Sequence, residues 1–86
     1  MKLIPLKRFT KAYRRLQPGD RGKVDEALIL FETDPFYPAL RNHPLKGSMV
    51  GMRAISAGFD LRILFQEEGG NMIIYLLDVG SHSQVY

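Results

Sequence analysis

The sequence predicts one small α+β domain over residues 1–86, with elements in the order β-α-α-β-β-β. Three observations carry this. Two stretches before Asp34 repeat apolar side chains at helical spacing. From Met52 onward the pattern changes to strand-like runs separated by glycine turns. No internal repeat or low-complexity tract is present, and a chain of 86 residues builds one small core.

Lys2 to Leu6 reads as a short strand. Pro5 has no N–H to donate, which places that strand at an edge or at its own end. Residues 7–16 read as helix, with Phe9, Ala12, Tyr13 and Leu16 on one face and Lys7, Arg8, Lys11, Arg14 and Arg15 on the other. Gln17-Pro18-Gly19-Asp20 interrupts it, since proline and glycine both disfavour a helix interior. A second helix runs from about Pro18–Asp20 to about Thr33 on a stripe of Val24, Ala27, Leu28 and Phe31. Ile29 and Leu30 lie off that stripe and either widen the core or form a patch for a partner. The short connection predicts an antiparallel helical hairpin.

Asp34 to Arg41 reads as a loop broken by Pro35 and Pro38, and His43-Pro44-Leu45-Lys46-Gly47 continues it. Met52–Ala57 is the next strand, with Gly58 at a turn. Phe59–Gln66 follows, with Leu61, Ile63 and Phe65 on one face and Asp60, Arg62, Leu64 and Gln66 on the other. Glu67-Glu68-Gly69-Gly70-Asn71 reads as a hairpin turn. Met72–Val79 is apolar on both faces until Asp78, as a central strand would be. Tight turns between successive strands predict an antiparallel meander. A seven-residue tail, Gly80 to Tyr86, is released from the end of that buried strand.

Composition bounds the function. The apolar fraction is 45%, and cysteine is absent, which excludes disulfide staples and thiolate chemistry. No window has the length of a bilayer-spanning helix and the start lacks a signal peptide's apolar core, so the expectation is a cytoplasmic protein without a membrane partner. Lys2, Lys7, Arg8, Lys11, Arg14, Arg15, Arg21 and Lys23 face a single acid, Asp20, in the first 23 residues. That imbalance is either a solvated helix face or a surface for a polyanion or an acidic protein.

No metal or cofactor set is visible. The two histidines are far apart, and phosphate-cradling and dinucleotide glycine motifs are missing. What remains is His43, Lys46, Arg53, Asp60, Arg62, His82 and Tyr86. Metal-free RNA cleavage can be built from such a set. The attacking 2′-hydroxyl must lose a proton, the leaving 5′-oxygen must gain one, and the transition state between them carries extra negative charge. Histidine or aspartate serves as base, protonated histidine as acid, and Arg or Lys as the clamp. A terminal aromatic ring can stack on a nucleobase.

In these residues the chain resembles the RelE/ParE superfamily of bacterial type II toxins, and most of all the YafQ-type mRNA endonucleases. The resemblance spans nearly the whole chain. It rests on His43-Pro44-Leu45-Lys46-Gly47, on Phe59-Asp60-Leu61-Arg62-Ile63-Leu64-Phe65, and on Leu77-Asp78-Val79-Gly80-Ser81-His82 with Tyr86 four residues on. It implies a small RelE-like fold, a helical hairpin packed on a small curved antiparallel sheet. It also implies a toxin that cuts mRNA in the ribosomal A site, and a cognate antitoxin through which alone DNA is contacted.

Residue by residue, the resemblance makes His43, Asp60 and His82 catalytic, with His82 as acid and either His43 or Asp60 as base. On the endonuclease reading the cations Lys46, Arg53 and Arg62 and the ring of Tyr86 contact phosphate or RNA, and the basic helix face of Lys7, Lys11, Arg14 and Arg15 docks on the ribosome. Two positions depart from the YafQ pattern: Ser56 stands where that branch has a further histidine, and Asp78 where it has an arginine. The same scaffold also suits a ParE-like toxin that binds gyrase without chemistry, or an antitoxin-binding member whose catalytic set has eroded.

Overall fold

The computed structural model describes all residues, Met1–Tyr86. Its elements are β1 (Lys2–Pro5), α1 (Lys7–Arg15), α2 (Pro18–Thr33), β2 (His43–Pro44), β3 (Arg53–Ala57), β4 (Leu61–Glu68), β5 (Ile73–Ser81) and α3 (His82–Val85). Single 3-10 turns at Pro38–Leu40 and Gly47–Met49 shape the long connection from α2 to β3.

Five strands form one sheet in the order β1-β5-β4-β3-β2. β3, β4 and β5 are the expected antiparallel meander. β1 joins as an edge strand, as Pro5 requires, but it runs parallel to β5, pairing Lys2 with Ile73 and Pro5 with Leu76. The sheet is therefore mixed, because the helical hairpin carries the chain away from β1 before the meander begins. β2 is a second addition: His43 and Pro44 pair with Ala54 and Arg53, inside a segment whose prolines and glycine read as loop.

The helices form as their patterns dictate. Pro18, read from sequence as part of an interruption, occupies the first turn of α2, where its missing N–H costs nothing. The free carbonyls at the end of α1 are met by Arg21, whose Nη1 donates to Leu16 O at 2.7 Å. Tyr13 Oη donates to Asp25 Oδ1 at 2.7 Å and ties the two helices together; that bond to a carboxylate raises the phenol above its usual titration range.

Both faces of the sheet are covered. The main core joins Phe9, Val24, Ala27 and Phe31 of the helices to Leu40 and to Ile55, Ala57, Leu61, Ile63, Phe65, Ile74, Leu76 and Val79. Phe31 and Phe65 meet edge to face with centroids 5.0 Å apart, an arrangement worth about 0.5–1.5 kcal/mol beyond simple burial. Of the two side chains left open by the sequence, Leu30 packs against this core and Ile29 is 65% exposed. On the opposite face Ala54, Leu64 and Val85 form a smaller cluster, flanked by Leu45, Met49 and Leu77. The tail is thus no free arm. Val85 fastens it over Leu64, and no helix of the protein is long and apolar enough to cross a membrane.

Candidate functional site

The C-terminal turn is built by short-range chemistry. Ser81 precedes α3, and Gln84, three residues on, returns its side-chain Oε1 to Ser81 N–H at 2.8 Å. Serine followed three residues later by glutamine is a capping signature present in the sequence itself, and it marks a helical turn where the sequence was expected to release a tail. Gly80 makes room for the turn: a Cβ there would lie 2.9 Å from Gln84 Oε1 and 3.3 Å from Val85 Cγ1. One helical turn then separates His82 from Tyr86, and their rings meet edge to face with centroids 4.5 Å apart. Both side chains are exposed.

Arg62 lies beside this pair. In the ladder it faces Ser56 on one side and Gly80 on the other, so all three share the face covered by α3. Burial pushes the Tyr86 phenol above its ordinary titration range, and the Arg62 guanidinium works against that. Arg62 Nη1 donates to Phe59 O at 3.1 Å and to Leu61 O at 2.9 Å, which leaves its other N–H groups free. Asp60 is exposed in the turn just before β4, not within the strand as the sequence suggested. The β4–β5 ladder ends where Leu61 pairs with Ser81, and the chain leaves it there on both strands, Asp60 lying in the turn before β4 and His82 opening α3.

His43 sits on the far edge of the same face. Its ladder partner is Ala54, and Ala54 pairs with Leu64. Arg41 O lies 2.7 Å from His43 Nδ1. A carbonyl only accepts, so Nδ1 carries the proton and Nε2 is left open to solvent in the neutral ring. Three strand spacings, about 14 Å in a flat sheet, separate His43 from β5. Lys46 is exposed on the loop that follows.

Arg53 does not join this set. It pairs with Phe65 and so points to the helical face, where its Nε donates to Asn42 Oδ1 at 2.9 Å and its guanidinium lies 5.8 Å from the centre of the Phe36 ring. Residue type suggested a phosphate contact; strand parity and these two partners make Arg53 a tie for the 36–42 loop.

The basic helix face opens onto a cleft of about 640 Å³ between α1, β5 and the C-terminal turn. Lys7, Arg8, Lys11 and Arg15 line it, with Asp78 and Gln84 on the far side. Arg14, expected to act with them, is exposed but outside the cleft. Arg8 is the addition. Its Nε lies 3.2 Å from Asp78 Oδ2, and the Asp78 side chain is only 13% exposed. Asp78 Oδ1 also accepts Val79 N–H at 2.9 Å, so the carboxylate at this position is satisfied locally and holds a cation at the cleft mouth.

Neither a family model nor a curated protein matches the chain by sequence. Solved structures match over its full length. A copper-bound mutant toxin from Helicobacter pylori is 26% identical with a TM-score of 0.80, covering 100% of this chain and 99% of that one. YafQ from Escherichia coli is 17% identical with a TM-score of 0.82, covering 99% and 97%. The E. coli DinJ–YafQ toxin–antitoxin complex contains a chain 19% identical with a TM-score of 0.80, covering 99% and 96%.

Proposed function

We propose, for a chain with the fold of the RelE/ParE-like toxins, YafQ-like members included, that it is the toxin of a type II toxin–antitoxin pair and a metal-independent, ribosome-dependent mRNA endonuclease. The observation that carries this reading is the constellation at the C-terminal turn. An exposed histidine, braced by an aromatic ring, stands near an arginine with free donors, and an exposed aspartate leaves the same end of the β4–β5 ladder.

The chemistry follows from proton accounting. The 2′-oxygen of one nucleotide attacks its own 3′-phosphorus as its proton passes to a base. The bond from phosphorus to the 5′-oxygen of the next nucleotide breaks as an acid protonates that oxygen, leaving a 2′,3′-cyclic phosphate and a 5′-hydroxyl. His82 is the acid. Asp60 is the better-supported base, because it leaves the β4–β5 ladder at the same end as His82, whereas His43 lies about 14 Å of sheet from β5. Arg62 meets the charge that develops on the non-bridging oxygens. His43, with Nε2 outward, and Lys46 contact the strand farther along. Tyr86 holds the His82 ring edge-on and stacks on or orients a base.

The cleft of Lys7, Arg8, Lys11 and Arg15 follows an RNA backbone on the other side of the turn, in keeping with docking on the ribosome. A basic, partly apolar surface also suits a disordered antitoxin segment that folds on binding, and an antitoxin partner is supported by the similarity to YafQ, which forms a toxin–antitoxin complex with DinJ. The test is growth arrest on expression. Wild type arrests growth and His82→Ala does not, while both co-purify with the antitoxin. Arrest by His82→Ala at wild-type potency refutes the assignment.

A further inference from the structure

We propose that Phe59 is a stacking platform for a nucleobase next to the scissile phosphate, an inference that rests on the RNA-cutting reading above. Phe59 is 95% exposed, more than any other large apolar side chain of the protein. Single exposed apolar residues are common and need no function. Three features set this one apart.

The backbone beneath the ring is pinned. Gly58 has a φ of +75°, and the Lys23 stem from α2 packs where a Cβ would be, at 3.0 Å. On the other side Arg62 Nη1 holds the Phe59 carbonyl at 3.1 Å. A ring presented from a fixed turn loses little freedom when it stacks, which favours binding.

The surroundings suit a base better than a protein. The flanking positions are Gly58 and Asp60, and Phe59 pairs with no other ring. A hydrophobic protein contact needs a continuous apolar patch, whereas a base offers one π-face with polar edges and a charged backbone.

The position is the third feature. Arg62 holds the Phe59 carbonyl, and it shares with Gly80 the sheet face covered by α3, so the turn that carries Phe59 is tied directly to the arginine of the site. Phe59 directly precedes Asp60, and Tyr86 packs on His82, so each ring adjoins one of the two candidate proton carriers. Bases splayed onto the two rings would leave the phosphate between them facing Asp60, Arg62 and His82. Phe59 is thus a positioning residue, acting through the placement of RNA rather than on the proton.

The experiment compares wild type with Phe59→Ala, Phe59→Leu and Phe59→Trp in a reconstituted translation reaction. It measures mRNA cutting against ribosome-bound substrate concentration, with thermal unfolding and antitoxin binding measured in parallel. Phe59→Ala and Phe59→Leu are expected to raise the half-saturating concentration by about 10- to 100-fold, the range a lost base stack covers. Phe59→Trp retains cutting, and unfolding and antitoxin binding stay unchanged in all three. Equal cutting by Phe59→Leu and wild type overturns the proposal, as does a loss confined to antitoxin binding. A folded wild type that cuts nothing overturns the underlying reading together with this one, whereas wild-type cutting undiminished by Phe59→Ala overturns this one alone.

Discussion

Replacing Gly80 by alanine is expected to loosen the C-terminal turn while leaving the main core intact. The new methyl carbon would lie 2.9 Å from Gln84 Oε1 and 3.3 Å from both Gln84 Cβ and Val85 Cγ1. Gln84 cannot simply swing aside, because Oε1 accepts the Ser81 N–H at 2.8 Å. Loss of that cap costs about 1 kcal/mol. Pushing Val85 off Ala54 and Leu64, where it is 5% exposed, adds an overpacking cost of about 1–2 kcal/mol. A total of about 2–3 kcal/mol lowers the melting temperature of a domain this size by roughly 10–20 °C. The thirteen residues of the main cluster are untouched, so the variant still folds. Activity should fall further than stability, since a shift of about 1 Å in a reacting group can cost on the order of 100-fold in rate. Circular-dichroism melts and mRNA cutting on the same preparation check both. A Gly80→Ala protein that melts within about 2 °C of wild type and cuts equally well refutes the packing argument.

Three other outcomes are expected. Arg53→Ala should lose about 1 kcal/mol of stability through the Asn42 bond and the Phe36 contact, with cutting unchanged within about twofold; a specific loss of cutting would return Arg53 to the site. Reversing Lys7, Lys11 and Arg15 to glutamate should weaken RNA and ribosome binding and flatten its salt dependence by about 0.7 per lost phosphate contact in a log–log plot; an unchanged slope excludes the cleft. Tyr86→Phe should reduce alkaline destabilisation. Burial raises the Tyr86 phenol, so the folded state holds that proton more tightly than the unfolded one, and the contribution is full below about pH 10 and lost as pH rises through the raised value. Tyr13 and Tyr75, which donate to Asp25 and Glu68, act in the same direction and remain in the variant. An identical loss above pH 10 in wild type and Tyr86→Phe would exclude Tyr86 as a contributor.

The elements whose signal is local were legible in the sequence. The Phe9–Leu16 and Val24–Phe31 stripes and the alternation of Leu61, Ile63 and Phe65 each repeat at the period of the structure they form, and the hairpin is marked by Gly69 and Gly70, which take the positive φ it requires. The pairing of β1 with β5 was not, because it joins positions about seventy residues apart and no period encodes a partner. β2 was hidden for a related reason: two residues are too few to show alternation. Leu64 illustrates a third limit. Its parity set it on the face of Arg62, but only the covering Val85 explains why it is buried.

The candidate site divides in the same way. His82, Tyr86 and Arg62 converge because an i,i+4 spacing and a strand register bring them together, and both are countable in the sequence. Arg53 was selected by charge alone, and β3 turns it to the other face. Arg8 and Phe59 were absent from the candidate set because one matters through its carboxylate partner and the other through the turn that pins it.

The decisive experiment maps mRNA 5′ ends in a reconstituted translation reaction with wild type, with His82→Ala, and without ribosomes. A ribosome-dependent endonuclease that works through His82 gives cuts at defined codon positions that require ribosomes and disappear in the variant. A folded wild type that leaves every message whole, or a His82→Ala protein that cuts like wild type, would contradict it.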